Sequence, residues 1–226
     1  HLWFDAFGAL VGVAISEEGD GGFAILTTAG HRFLFEEMLD WALATWGGRE
    51  PHPSIEITAH QTMEARVLAR HGFCHTSTFG SWRFDLTREL APRAPLPEGF
   101  TIVDMATHPD YPEQRRMRAE AFGGRSALTE EELAHQLEFY NHSQQGPIYH
   151  APTDLCVMAP DGRLVAGCEA LIDAANLEAD IERVCTHSAY RRRGLARAVI
   201  QECLYRLQEM GLRNAYIGGY SDAAMA

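Results

Sequence analysis

Two carboxylates, Asp180 and Glu182, stand two residues apart in an apolar stretch from Ala179 to Thr186. The alternation of a strand puts both side chains on one face. That stretch runs into Arg191-Arg192-Arg193-Gly194-Leu195-Ala196 and then into an amphipathic segment. Backbone N–H groups at a helix start, flanked by arginines and freed of bulk by a glycine, form a site for a diphosphate. The groups that could converge run from Arg192 to Arg197, so a nucleotide-bearing cofactor is the ligand class to expect. For Glu182 a plainer role competes with acid–base work, an ion pair with an arginine of an adjacent strand.

The elements that must hold these residues follow from periodicity. Ala196, Val199, Ile200, Cys203, Leu204 and Leu207 recur at helical spacing and define a buried face, with Gly211 as the stop. Upstream, Leu155 to Ala159, the turn Asp161-Gly162 and Leu164 to Ile172 read as an antiparallel hairpin. Before it come a strand over 100–105 and helices near 111–122 and 130–140, the last with Thr129 and Glu132 as a capping box. Ala215-Tyr216-Ile217 is a short strand after the glycine-turn helix.

The first half repeats this order at an offset of roughly 155 to 160 residues, a domain-sized duplication. Gly8-Ala9-Leu10-Val11-Gly12 echoes Gly162-Arg163-Leu164-Val165-Ala166. A strand at 23–26, a helix at 33–44, a strand at 55–57, a helix at 63–70 and a final strand through Trp82-Arg83-Phe84 follow. The expected organisation is a first domain over 1–90, a proline-rich linker over 91–99 and a second domain over 100–226. The first half lacks counterparts of the opening strand and helices of the second, and the second stops before the last helix and strand of the first. With no initiator Met, the true N-terminus is expected to be missing, and the absent elements to be either trimmed or not represented.

Composition removes several functions. The 226 residues carry a formal charge of −12, which argues against nucleic acid and anionic membranes as partners. No apolar run approaches the ~20 residues of a membrane span, and His1-Leu2-Trp3-Phe4-Asp5 lacks the basic start of a signal peptide. The five cysteines, Cys74, Cys156, Cys168, Cys185 and Cys203, show no paired or metal-like spacing, which favours free thiols in the cytoplasm. All 19 basic residues are arginine, so mechanisms built on a lysine nucleophile, base or P-loop are excluded. His71-Gly72-Phe73-Cys74-His75 contains good zinc ligands, but a helix end entering a strand makes them diverge, and no metal is expected. Arg115-Arg116-Met117-Arg118 reads as a solvated helix face, with the lining of an acceptor or nucleotide groove as the alternative.

The order of strand, helices, hairpin, strand, glycine turn, helix and strand resembles the GNAT superfamily of acetyl-CoA-dependent N-acetyltransferases. The family's turn has Gln or Arg, two residues, Gly, one residue, then Gly or Ala. Arg191, Gly194 and Ala196 fill it. The resemblance covers most of 100–226 and, more loosely, the first half. It implies a tandem α/β (α+β) fold, each domain a mixed sheet flanked by helices, with acetyl-CoA as cosubstrate. Its diphosphate would sit at Arg191, Arg192, Arg193, Gly194, Leu195, Ala196 and Arg197, and its pantetheine arm would pair with the backbone of Val184, Cys185 and Thr186. Relatives often carry a glutamate base on that strand, which makes Glu182 the first choice and Asp180 the second. The implied reaction is direct acetylation of a primary amine, small molecule or peptide, without a covalent enzyme intermediate.

The family's late tyrosine acid would fall beyond Ala226, and Tyr220 and Tyr190 do not match its place. In the first half, Thr27-Thr28-Ala29-Gly30-His31-Arg32-Phe33 lacks the spaced pattern, and Leu68 stands where the tyrosine would align. One cofactor site is therefore expected, in the second half. The duplicated layout also resembles mycothiol synthase, which acetylates a cysteinyl amine, and a non-catalytic acyl-CoA sensor or interaction protein is the rival from another class. Acceptor and oligomeric state are left open by the sequence.

Overall fold

The computed structural model describes residues 1–16, 19–124 and 128–219. The chain divides into two compact units, His1–Ser77 and Thr78–Ala226. No helix among the described residues is long and apolar enough to cross a membrane.

In the first unit β1 (Leu2–Phe4), β2 (Leu10–Ile15) and β3 (Gly22–Thr27) form an antiparallel meander. A 3-10 turn over Ala29–Leu34 leads into α1 (Phe35–Trp46), and β4 (Ser54–Ile55) then pairs parallel to β3. Phe35, Met38, Leu39, Ala42 and Trp46 recur at helical spacing and bury one face of α1 with Phe23 and Ile25 of β3. Val67 and Leu68 of α2 (Thr62–Arg70) complete this core.

The second unit holds a six-stranded sheet in the order β5 (Gly80–Asp85), β10 (Asn214–Gly219), β9 (Glu178–Thr186), β8 (Leu164–Asp173), β7 (Asp154–Met158), β6 (Thr101–Asp104). β6 to β9 are antiparallel neighbours, and β9 and β10 are parallel. Thus β7, β8, β9, helix and β10 repeat the strand directions of β1, β2, β3, α1 and β4.

The strand at Trp82-Arg83-Phe84 departs from the sequence reading. It is β5, and it pairs antiparallel with β10 from Asp85–Asn214 to Gly80–Gly219, in the second sheet rather than the first. The division between units therefore lies before β5, upstream of the prolines at which the sequence placed it. The segment after β5 is no free linker. Leu86 and Leu90 enter the second core, the Arg93 guanidinium lies 3.8 Å from the Tyr205 ring centroid, and Ala94 N–H donates to Gln201 Oε1 at 2.7 Å.

Helices cover both faces of this sheet. Leu155, Val157, Ala166, Cys168, Ala170 and Ile181 pack with Leu195, Val199, Cys203 and Leu207 of α5 (Leu195–Glu209). Cys156, between Leu155 and Val157, packs instead with Met117 of α3 (Tyr111–Gly123), so α3 lies on the opposite face. The Asp110 side chain accepts from Glu113 N–H at the start of α3, and Gly124 in the left-handed region ends it. α4 (Glu130–Gln144) opens on the expected capping box, with Thr129 and Glu132 bonded reciprocally.

Candidate active site

β9 carries the site because its two edges are treated differently. Toward β8 it stays paired to its end, at Ala166–Thr186. Toward β10 the ladder stops at Ile217–Ile181, while β10 continues to Gly219 in company with β5. Beyond Ile181, among the described residues, the backbone of Glu182 to Thr186 therefore presents an unpaired edge. An extended ligand with amide groups could add to it as a strand would. Val184, Cys185 and Thr186 all lie on this stretch.

A bulge reshapes the same segment. Gly167 faces Cys185 and Glu169 faces Glu182, so two steps on β8 span three on β9. Arg183 absorbs the extra residue with φ of 55°. The bulge also switches faces: Ala179 and Ile181 point to α5, whereas Cys185, of the same parity, packs on the α3 side. Asp180 and Glu182 precede the switch and alternate with Ala179 and Ile181, which puts both carboxylates on the α3 face.

Both keep solvent-exposed surface. Desolvation by the surrounding strands nevertheless raises each carboxyl above its ordinary value; for Glu182 the Asp180 and Glu169 carboxylates add to this, against the opposing pull of Arg183. A glutamate so raised is a better proton acceptor near neutral pH. Glu169, its cross-strand neighbour, is committed elsewhere: its Oε2 accepts from Arg118 at 3.0 Å and from Arg183 at 2.8 Å.

The glycine turn follows. Arg192 and Gly194 both have positive φ, 64° and 80°, and Gly194 is the N-cap of α5 with no side-chain cap. The first helical bond runs from Ala198 N–H to Gly194 O, leaving the N–H groups of Leu195, Ala196 and Arg197 without intrahelical partners. A Cβ on Gly194 would meet nothing within 4 Å, so the approach to these donors is open. The turn thus suits the diphosphate of a nucleotide.

α3 fixes the turn in place. Arg191 donates from Nε to Thr186 O at 3.2 Å and from Nη2 to Ala121 O at 3.0 Å. Glu120 accepts from Ser188 N–H at 2.9 Å and from the Ser188 hydroxyl. Arg191 therefore holds backbone, while Arg192, Arg193 and Arg197 are the exposed cations of the turn. Tyr190 is held by Arg163, whose Nη2 donates to its hydroxyl at 2.9 Å. Tyr220 lies outside the described residues.

The arginine cluster of α3 corrects the sequence reading. Arg116 is exposed, but Arg115 and Arg118 are 1% and 4% exposed. Arg118 bridges Asp154 at 2.9 Å and Glu169 at 3.0 Å, and Gln114 Nε2 donates to Asp154 Oδ1 at 2.7 Å. A sequence signal existed in Asp154 and Glu169, acids inside apolar strands that require buried cations. In the first unit, His71 stands 3.3 Å from Glu36 and 3.6 Å from Asp40, and Cys74 is exposed. No group of three or more potential metal ligands occurs among the described residues.

Comparison with known proteins was made on sequence and on structure. Residues 125–224 match the Acetyltransferase (GNAT) family. No curated protein matches the chain. A GCN5-related N-acetyltransferase from Sphaerobacter thermophilus superposes with a TM-score of 0.68 at 18% identity, over 100% of this chain and 72% of that one. A tandem GNAT protein from the clavulanic acid biosynthesis pathway gives 0.63 at 16% identity, over 96% and 73%. A GCN5-related N-acetyltransferase from Kribbella flavida gives 0.54 at 16%, over 89% and 72%. At these identities the structural likeness speaks for the fold.

Proposed function

We propose that the chain, whose residues 125–224 match the Acetyltransferase (GNAT) family, moves the acetyl group of acetyl-CoA to a primary amine, with Glu182 as the base. The observation that carries this reading is the continuity of one strand. β9 leaves an edge free beyond Ile181, bears the raised carboxyl of Glu182 at its bulge and ends at the uncapped start of α5.

Acetyl-CoA supplies the activated acetyl group. The N–H groups of Leu195, Ala196 and Arg197, with the exposed Arg192, Arg193 and Arg197, would hold its diphosphate. The backbone of Val184, Cys185 and Thr186 would hold the pantetheine arm, and a backbone N–H at the bulge would stabilise charge on the thioester oxygen during attack. Glu182 takes a proton from the ammonium form of the acceptor, directly or through water, because only the neutral amine is a nucleophile. Asp180, on the same face, keeps that proton acceptor basic by repulsion. Cys185 is buried, and burial pushes its thiol up to about 11; that supports a packing role over a nucleophilic one.

We read the whole chain as a tandem of two such folds with one cofactor site. The repeated strand directions support the tandem. The first unit has a 3-10 turn, from Ala29 to Leu34, where the second has its left-handed glycine, which supports a single site. Four buried free thiols agree with a reducing, cytoplasmic setting.

The test is Glu182→Gln. Wild-type kcat/KM should climb with pH as Glu182 loses its proton, at a pH above that of an ordinary glutamate. The variant should bind acetyl-CoA as before, lose roughly 10²–10⁴-fold in turnover and lose that limb of the profile. An unchanged profile would remove Glu182 from the mechanism.

A further inference from the structure

On the α3 face lies a cavity of about 370 Å³, lined by Tyr111, Arg115, Leu137, Glu138, Tyr140 and Asn141 among others. Its most unusual member is Arg115. Nη2 of this side chain donates to Gln114 Oε1 at 2.7 Å, a neutral acceptor. Nε and Nη1 are buried and have no hydrogen-bond partner among the described residues. A buried guanidinium without an anion is costly, and native structures pair such charges.

The nearby acids are taken. Asp154 Oδ1 accepts from Gln114 and Arg118, its Oδ2 accepts from the Tyr149 hydroxyl at 3.1 Å, and Glu169 accepts from Arg118 and Arg183. Arg118 and Arg183 are thus ion-paired with Asp154 and Glu169, while Arg115 makes no ion pair among the described residues. Burial, followed by repulsion from Arg118, lowers Arg115 to about 10, which leaves it charged at neutral pH. Glu138 is the one acid lining the cavity, and it is exposed on α4.

One residue of the cavity's lining also touches a side chain of β9. The Tyr140 ring, part of its lining, carries the Arg115 guanidinium at 3.3 Å and that of Arg183 at 4.5 Å from its centroid. Arg183 is the bulge residue beside Glu182, and Glu182 projects to this same face. A molecule seated against Tyr140 therefore lies beside the guanidiniums of Arg115 and Arg183.

We propose that the acceptor is an amine that also bears a carboxylate, and that Arg115 is the residue that selects it by pairing with that carboxylate. This rests on acetyl transfer at Glu182 and names its substrate class. A carboxylate is favoured over a phosphate because one guanidinium alone, that of Arg115, stands unpaired in the lining to receive it. Tyr140, stacked on Arg115, shields the guanidinium until the acid arrives.

The test uses the whole chain with acetyl-CoA. Amino acids, β-alanine and γ-aminobutyrate are each compared with their carboxamides, and phosphoethanolamine is included as a phosphate-bearing amine. Thiol release gives kcat/KM, and the thermal unfolding midpoint with each compound gives binding independent of turnover. The expected result is that at least one acid exceeds its amide by about 100-fold, as for a buried charged pair. Arg115→Met should bring that acid down to the level of its amide.

Arg115→Met should also unfold at an unchanged or higher temperature without ligand, since an unpaired buried charge has been replaced by an apolar chain of similar length. A purely structural Arg115 gives the reverse, a lowered midpoint with discrimination intact. Arg115→Lys, which keeps the charge, should retain part of the preference. Amines acetylated equally well as acids and amides would overturn this proposal while leaving acetyl transfer standing. Acids that stabilise the wild type but not Arg115→Met, with no thiol release, would uphold the pocket and sink the transfer reading. Preference for phosphoethanolamine, or neither binding nor turnover of any acid, would overturn the carboxylate.

Discussion

Gly194 separates the demands of folding from those of binding, because the two respond in different ways to one substitution. Its φ of 80° lies where an L-residue is strained, and a Cβ there meets nothing within 4 Å. Gly194→Ala therefore suffers backbone strain alone, about 1–2 kcal/mol. Gly194→Asp suffers the same strain but adds a negative charge at the start of α5, where the helix dipole returns about 0.3–1 kcal/mol. Its unbound stability should fall by no more than about 1.7 kcal/mol.

Binding should respond far more. A charge within about 4 Å of a diphosphate is repelled by between ~1 and ~4 kcal/mol, depending on how much water remains. At an intermediate 2–3 kcal/mol, acetyl-CoA should bind roughly 30- to 150-fold more weakly. Gly194→Asn, close in shape, tolerant of positive φ and neutral, should lose only a fewfold. Calorimetric titration with acetyl-CoA measures the affinities, and denaturant unfolding measures the stabilities. If Gly194→Asp and Gly194→Asn bound acetyl-CoA equally, the diphosphate would not lie at this turn.

Arg118→Met leaves Asp154 buried without its cation, whereas Glu169 keeps Arg183. Urea unfolding should show a loss of about 3 kcal/mol, at the low end for a broken buried pair; a loss under about 1 kcal/mol would mean that the network is not the support it is described as. Burial pushes the thiols of Cys156 and Cys185 up to about 12 and about 11, while Cys74 is exposed. A thiol reagent added to the native protein near neutral pH should label Cys74 alone, and Cys185→Ala should remain active; rapid labelling of Cys185 would contradict its placement under α3.

The segment from Ala179 to Leu207 was legible because each part carries a local signal. Strand alternation, a glycine at a turn position of positive φ and an apolar stripe at helical spacing are all properties of neighbouring residues. The capping box at Thr129 and Glu132 is of the same kind. What escaped depends on distant partners. Trp82 and Phe84 announce a strand, but nothing near them says that β10, over 120 residues later, is its neighbour.

Arg118 looks solvated on its own helix, because its acids lie 36 and 51 residues away. The bulge was hidden for a different reason. Its positive φ falls on Arg183 rather than on a glycine, so composition gives no hint of the face switch that separates Glu182 from Cys185. Glu182 was thus legible as a candidate from its strand, whereas its surroundings, the paired Glu169 and the unpaired Arg115, became visible only once the α3 face had been assembled.

Acetyl transfer itself is tested most directly by following CoA thiol release from acetyl-CoA by the whole chain, with and without a broad panel of amines, alongside calorimetric binding of acetyl-CoA. The expected result is saturable binding at one site and thiol release that depends on an added amine, with the acetyl group recovered on that amine by mass spectrometry. Binding at that site with no amine-dependent release anywhere in the panel would contradict it, and would make the chain a sensor of acyl-CoA.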